Sequence, residues 1–131
     1  MGSLKNPRVL IVEDEAFIAL DMERELQEAA YDVVAVGSEQ LALLEIESQG
    51  FDCAVVDLTL QGEVSLAIVN ALSRKGIPYI VVSGCEENVL PPVHRNKPFL
   101  SKPYVPAALL GAVRQATSPQ LQPDILARRR P

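Results

Sequence analysis

A doubly wound α/β fold, with a five-stranded parallel sheet and helices on both faces, is what this sequence predicts, and three observations carry it. Short runs of aliphatic and β-branched residues recur along the chain, each bounded by polar residues: 8–13, 33–36, 53–57, 79–83 and 99–101. Such runs mark strands buried on both faces. Stretches with helical spacing of apolar residues alternate with them, the order that builds parallel βαβ units. Charged or hydroxyl residues close four of the runs: Glu13 and Asp14 after the first, Asp57 after the third, Ser83 on the fourth and Lys102 after the fifth. In an open α/β sheet, ligands bind just beyond the carboxyl ends of the strands.

Each element has its own justification. Glu15 to Ala30 predicts a helix, with Ile18, Met22, Leu26 and Ala29 on one face. Ser38 is the expected N-cap of a second helix reaching Gln49, which buries Ala42, Leu43 and Ile46 and stops at Gly50. A third helix is expected after Gly62 and up to Arg74, with Ile68, Val69 and Leu72 inward and Gly76 as its stop. Ala107 to Ala116 forms the last, burying Leu109, Leu110 and Val113. Between Ser83 and Lys102 the rhythm breaks. Pro91, Pro92 and Pro98 interrupt any helix there, so the fourth helix of the series is short or absent, with at most one turn near Glu86–Leu90.

The chain has 131 residues, 48% of them hydrophobic, which suits one domain with a sizeable core. Residues 1–6 are expected to be a disordered N-terminus or vector remnant, 7–116 the domain, and 117–131 a loose tail. No apolar stretch reaches the roughly 18–20 residues of a membrane span, and no secretory signal is visible. A cytoplasmic protein is therefore expected. The net charge is −5; the last fifteen residues hold three arginines against one aspartate, +2, which leaves −7 for the rest. An acidic body disfavours nucleic-acid binding. Cys53 and Cys85 lack metal-ligand spacing, and Cys53 reads as a small buried hydrophobe. His94 is the sole histidine, which excludes multi-histidine metal sites; in a proline-rich loop it is expected to be solvated surface.

The charged strand ends converge. Two carboxylates about 4 Å apart repel by roughly 4 kcal/mol at an effective dielectric near 20, so the group calls for a cation. Magnesium suits it, since it takes octahedral oxygen ligands. Asp57 is the candidate nucleophile for a phosphoryl group. Glu13 and Asp14 are placed to hold the metal beside it, with the backbone carbonyl of Thr59 completing the shell. Lys102 offers a point charge to phosphoryl oxygens, and Ser83 offers a hydroxyl. A cis bond at Lys102-Pro103 would be one way to aim the lysine inward. Taken singly, Glu13-Asp14 is also a common acidic helix start, Asp57 a turn residue and Lys102 a surface lysine.

The ordered set resembles the receiver domains of response regulators in two-component signalling, over about residues 7–116. The resemblance implies the flavodoxin-like strand order 2-1-3-4-5. It implies that a histidine kinase or phosphotransfer protein phosphorylates Asp57 and that Glu13 and Asp14 bind Mg2+. It further implies that Ser83 and Phe99 are the switch residues and that Lys102 contacts the phosphoryl group. Lys97-Pro98 competes with Lys102-Pro103, which is preferred because the apolar run 99–101 precedes it. Two features depart from the family. No proline follows within Leu58–Gly62, where receivers commonly have one a few residues past the acceptor, and the fourth helix is degraded. Pro78 to Cys85 is similar to a subfamily of alphaproteobacterial single-domain receivers with such a helix. The resemblance thus implies a stand-alone receiver, not an enzyme, with an unnamed downstream protein target and a homodimer allowed. The competing readings are a receiver-like binding module that is never phosphorylated and an aspartate-nucleophile phosphatase, to which Asp57-Leu58-Thr59 has a partial likeness.

Overall fold

The computed structural model describes residues 6–48, 50–84, 91–94 and 97–118. The chain runs β1 (Arg8–Val12), α1 (Ala16–Glu28), β2 (Asp32–Val36), α2 (Glu39–Ser48), β3 (Cys53–Val56), β4 (Thr59–Leu60), β5 (Glu63–Val64), α3 (Leu66–Lys75), β6 (Tyr79–Ser83), β7 (Phe99–Ser101) and α4 (Pro106–Thr117). The main sheet has the order β2-β1-β3-β6-β7, every pairing parallel. Counted without the small β4-β5 pair, this is the expected order 2-1-3-4-5.

Successive side chains on a strand point to opposite faces, and the core divides accordingly. Leu10, Val12, Ala54, Val56 and Val81 pack against Ala42 and Ile46 of α2 and Ile68 and Leu72 of α3. Val9, Ile11, Val55, Ile80 and Val82 pack against Met22 and Leu26 of α1 and Leu109 and Val113 of α4. The three central strands are therefore buried on both sides. Each buried Leu, Val or Ile contributes about 1.5–3 kcal/mol, so this double layer fixes the strand ends where the chemistry will sit. The expected caps also form: Ser38 Oγ accepts the Leu41 amide at 3.2 Å, and Gly76 ends α3 in the left-handed region at φ 72°.

Four expectations need correction. The third helix starts at Leu66 rather than just after Gly62, because 59–64 forms an antiparallel hairpin instead. Gln61 and Gly62 take φ 52° and 84°, positive values at both central residues that match the twist of a two-residue hairpin. Leu60 is buried and anchors it. The last helix runs Pro106–Thr117 rather than Ala107 to Ala116, and Thr117 Oγ1 lies 3.1 Å from Tyr31 Oη. Asn6, placed in the disordered N-terminus, is described as exposed chain leading into β1. His94 is not solvated: it is 2% exposed, in a 3-10 turn at Pro92–His94. The expected turn near Glu86–Leu90, Cys85, residues 1–5 and residues 119–131 lie outside the described residues.

His94 is buried because partners meet both ring nitrogens. Nδ1 hydrogen bonds to the Tyr79 hydroxyl, and Nε2 lies 2.8 Å from Asn70 Oδ1 on α3. The turn thus docks on β6 and α3. Burial, reinforced by the Lys97 charge, lowers the His94 pKa below 6.5. A histidine kept neutral in the fold contributes its full stability above the unfolded value and loses it as pH falls. The melting temperature is therefore expected to drop between pH 7 and 5.5, with a slope that His94→Gln removes; equal slopes for both proteins would refute this. His94→Ala is expected to cost about 2 kcal/mol, since it removes one hydrogen bond from the Tyr79 hydroxyl and one from Asn70 Oδ1, each contributing about 1 kcal/mol.

Candidate functional site

Parallel register sets the site. Val12 is level with Val56, so Glu13 and Asp57 each begin one residue past neighbouring strands. The Asp57 amide donates to the Val12 carbonyl at 2.8 Å, and the Lys102 amide to the Ser83 carbonyl at 3.0 Å. Four consecutive strands thus deliver Glu13-Asp14, Asp57, Ser83 and Lys102 to one edge of the sheet.

Their side chains meet. Lys102 Nζ lies 3.0 Å from Asp57 Oδ2, 2.9 Å from Glu13 Oε1 and 3.5 Å from Glu15 Oε1. The approach to Glu13 is an ion pair off the hydrogen-bonding angle, and buried Oε1 accepts no hydrogen bond. Glu13 Oε2 accepts the Glu15 amide at 3.1 Å. The Thr59 amide donates to Asp57 Oδ1 at 3.0 Å, and the Gln61 amide donates to Asp14 Oδ2 at 2.7 Å. Glu13 and Asp57 are 2% and 4% exposed, so these charges interact in a medium far less screening than water. Burial raises the Glu13 pKa, and Asp57 adds to the rise, against the pull of Lys102 and the Glu15 amide. For Lys102, burial acts to lower the pKa, but the close ion pair with Glu13 and the hydrogen bond and charge of Asp57 together outweigh it and raise the value. The ammonium is thereby held charged between the two carboxylates.

Ligand oxygens of Glu13, Asp14 and Asp57 all lie within 4.8 Å of one another. An all-oxygen donor set with a buried, non-hydrogen-bonded carboxylate oxygen fits a hard divalent cation such as Mg2+. The expected set is therefore together: Glu13, Asp14, Asp57 and Lys102 directly, with Thr59 bonded through its amide. Ser83 is fully buried at the end of β6. Phe99 lies on β7 beside Val81 and packs half-buried on the α2/α3 side of the core. Lys97 is exposed and sits 5.8 Å over the Tyr79 ring, which settles the lysine-proline choice for Lys102. The Lys102-Pro103 bond is cis.

Sequence reasoning missed two participants. Glu15 reads as a helix start, and nothing but its spacing from Glu13 hints that it reaches Lys102. The Gln61 amide was hidden in an assumed helix entry; the Gln61-Gly62 pair was the available hairpin signal, weaker than Asn-Gly or Asp-Gly.

Comparison with known proteins places this geometry in a family. The profile of the response regulator receiver domain matches residues 9–114, and the chain belongs to that family, the phosphorylation-accepting receivers of two-component response regulators. It is 29% identical over 110 residues to the sensory transduction protein RegX3 of Mycolicibacterium smegmatis, an alignment covering 81% of this chain and 48% of that one. The chain thus spans about half the length of that relative. Among solved structures, SdrG from Sphingomonas melonis Fr1 superposes with a TM-score of 0.73 at 29% identity, covering 88% of this chain and 98% of SdrG. A CheY-like receiver from Methanospirillum hungatei reaches 0.78 at 25% identity, covering 88% and 96%.

Proposed function

We propose that this chain is a response-regulator receiver that accepts a phosphoryl group on Asp57 with Mg2+ and signals through phosphorylation-dependent protein contacts. The observation that carries it is the Lys102 ammonium held between Asp57 and Glu13 at the mouth of a three-carboxylate cluster. A carboxylate flanked by a fixed cation is arranged for phosphoryl transfer, which depends mainly on positioning and charge neutralisation.

Asp57 attacks the phosphorus of a phosphohistidine; the phosphorus–oxygen bond forms as the phosphorus–nitrogen bond breaks, and the imidazole leaves. The Thr59 amide fixes one carboxylate oxygen and Lys102 the other. Glu13, Asp14, Asp57 and the Thr59 carbonyl would hold Mg2+, which when bound neutralises phosphoryl charge. Lys102 then serves the phosphoryl oxygens, and the Ser83 hydroxyl and Phe99 ring report the new charge. A histidine kinase or phosphotransfer protein has an apolar landing beside this site. Phe17 and Leu20 of α1 and Val105 before α4 are exposed, Phe17 by 84%, and a cleft of about 480 Å3 is lined by Glu15, Ile18, Lys102 and Tyr104.

The protein acts without catalytic turnover, in the cytoplasm, without nucleic-acid or membrane contact; among the described residues no helix is long and apolar enough to cross a membrane. The prolines Pro91, Pro92 and Pro98 between Ser83 and Lys102 support the subfamily with a degenerate fourth helix.

Titration with beryllofluoride and Mg2+, followed by NMR, tests the reading. Shifts are expected around Asp57, Ser83 and Phe99; unchanged spectra would instead support the binding module that is never phosphorylated.

A further inference from the structure

We infer that the β4-β5 hairpin is a positioning element for the metal carboxylates, so that Mg2+ binding and hairpin conformation are coupled. This rests on the proposed reading of Glu13, Asp14 and Asp57 as metal ligands. The hairpin reaches two of the three. Its first residue, Thr59, donates its amide to Asp57 Oδ1 at 3.0 Å, and its turn residue, Gln61, donates its amide to Asp14 Oδ2 at 2.7 Å. The second bond crosses from one loop to another and joins residues 47 positions apart. It engages one oxygen of Asp14, Oδ2, and so restrains the orientation of the carboxylate.

The missing proline is explained by the same bond. Gln61 uses a backbone N–H and a φ of 52°, and proline has neither. A chain with proline at this position could not offer the amide, so its absence here is the local chemistry that lets the hairpin reach Asp14. The hairpin is also held at its base. The Ser65 amide donates to the Leu58 carbonyl at 2.8 Å, Ser65 Oγ donates to Glu39 Oε2 on α2 at 2.6 Å, and Leu60 is buried. A tip supported in this way presents its amide in a fixed direction, and groups that orient a ligand in the outer shell strongly affect metal affinity.

Gly62 provides a clean test. Its φ is 84°, and a Cβ built there meets nothing within 4 Å. A side chain at 62 therefore acts only through the backbone conformation. Asparagine tolerates that region, whereas β-branched valine opposes it. Mg2+ affinity is read by NMR titration without any phosphodonor for wild type, Gly62→Asn and Gly62→Val. Gly62→Asn is expected to match wild type, and Gly62→Val to bind roughly tenfold more weakly, the low end of outer-shell effects. Exchange of the Gln61 amide in wild type is read as well, and is expected to slow at least about threefold in saturating Mg2+, because ligand binding stabilises the state that binds it. Equal affinity in Gly62→Val, or Gln61 exchange indifferent to Mg2+, overturns the coupling while leaving the metal site intact. Absence of Mg2+ binding in wild type overturns the metal site itself, and the coupling with it.

Discussion

Asp57→Asn is expected to take up no phosphoryl group from acetyl phosphate and Mg2+, while the wild type gains one per chain by intact mass. The amide is nearly isosteric, can still accept the Thr59 N–H, and removes a negative charge from a crowded buried cluster. The variant should therefore fold at least as well as the wild type. What it lacks is a nucleophilic oxygen pair: Asp57 holds Oδ1 on the Thr59 amide and Oδ2 on Lys102, each at 3.0 Å, and an acyl phosphate requires a carboxylate oxygen. Removing Mg2+ with a chelator is expected to suppress labelling of the wild type as well. Labelling of Asp57→Asn to the wild-type extent would move the acceptor to Glu13 or Asp14 and overturn the assignment. Continuous release of phosphate from a small ester would make the chain a phosphatase.

Lys102→Ala should produce the largest stability change of any substitution in the site. The Glu13 and Asp57 side chains are 0% and 5% exposed, and that of Lys102 is 19% exposed. Deleting the cation leaves two carboxylates buried close together, and breaking a buried pair by removing one partner costs about 3–5 kcal/mol. The Lys102 pKa is raised above 10.5 by its two ionised partners, so its contribution is complete at neutral pH and is lost on the alkaline side as pH climbs through the higher folded value. Urea denaturation at neutral pH therefore reads the whole effect. Two remedies should work. Glu13→Gln in the Lys102→Ala background should recover part of the loss by removing an uncompensated charge, and millimolar Mg2+ should recover part by binding the folded state. A loss under about 1 kcal/mol with no response to Mg2+ would show that water already screens the cluster.

Most of the fold was legible along the chain because its causes are local and periodic. Val9–Val12, Ala54–Val56 and Tyr79–Val82 are apolar without alternation, which only a strand covered on both faces explains, and all are buried. The helical stripes are equally plain: Met22 and Leu26, Ile68 and Leu72, and Leu109 and Val113 face the sheet as their spacing requires. What failed was set by distant partners. Nothing near His94 in sequence says that Tyr79 and Asn70 will close on its ring, and without them a proline-rich loop looks solvated. The hairpin failed for a related reason. Gly62 reads equally well as a helix entry or a turn, and the buried Leu60 side chain together with the Asp14 carboxylate favours the turn.

The candidate site divides the same way. The linear order already names the site residues: the charged Glu13, Asp14, Asp57 and Lys102 and the hydroxyl-bearing Ser83 stand at strand ends, and a parallel sheet must bring strand ends to one edge. Residue type and order suffice for that, since register follows from burying the three central strands. Only the tertiary structure decided how the charges share one another. It put Lys102 between Glu13 and Asp57 with Glu15 at the rim, and it gave one oxygen of Asp14 to the Gln61 amide. Hydrogen bonds and ion pairs depend on separations of a few tenths of an ångström and on direction, and those are fixed by packing across the sheet rather than by position along the chain.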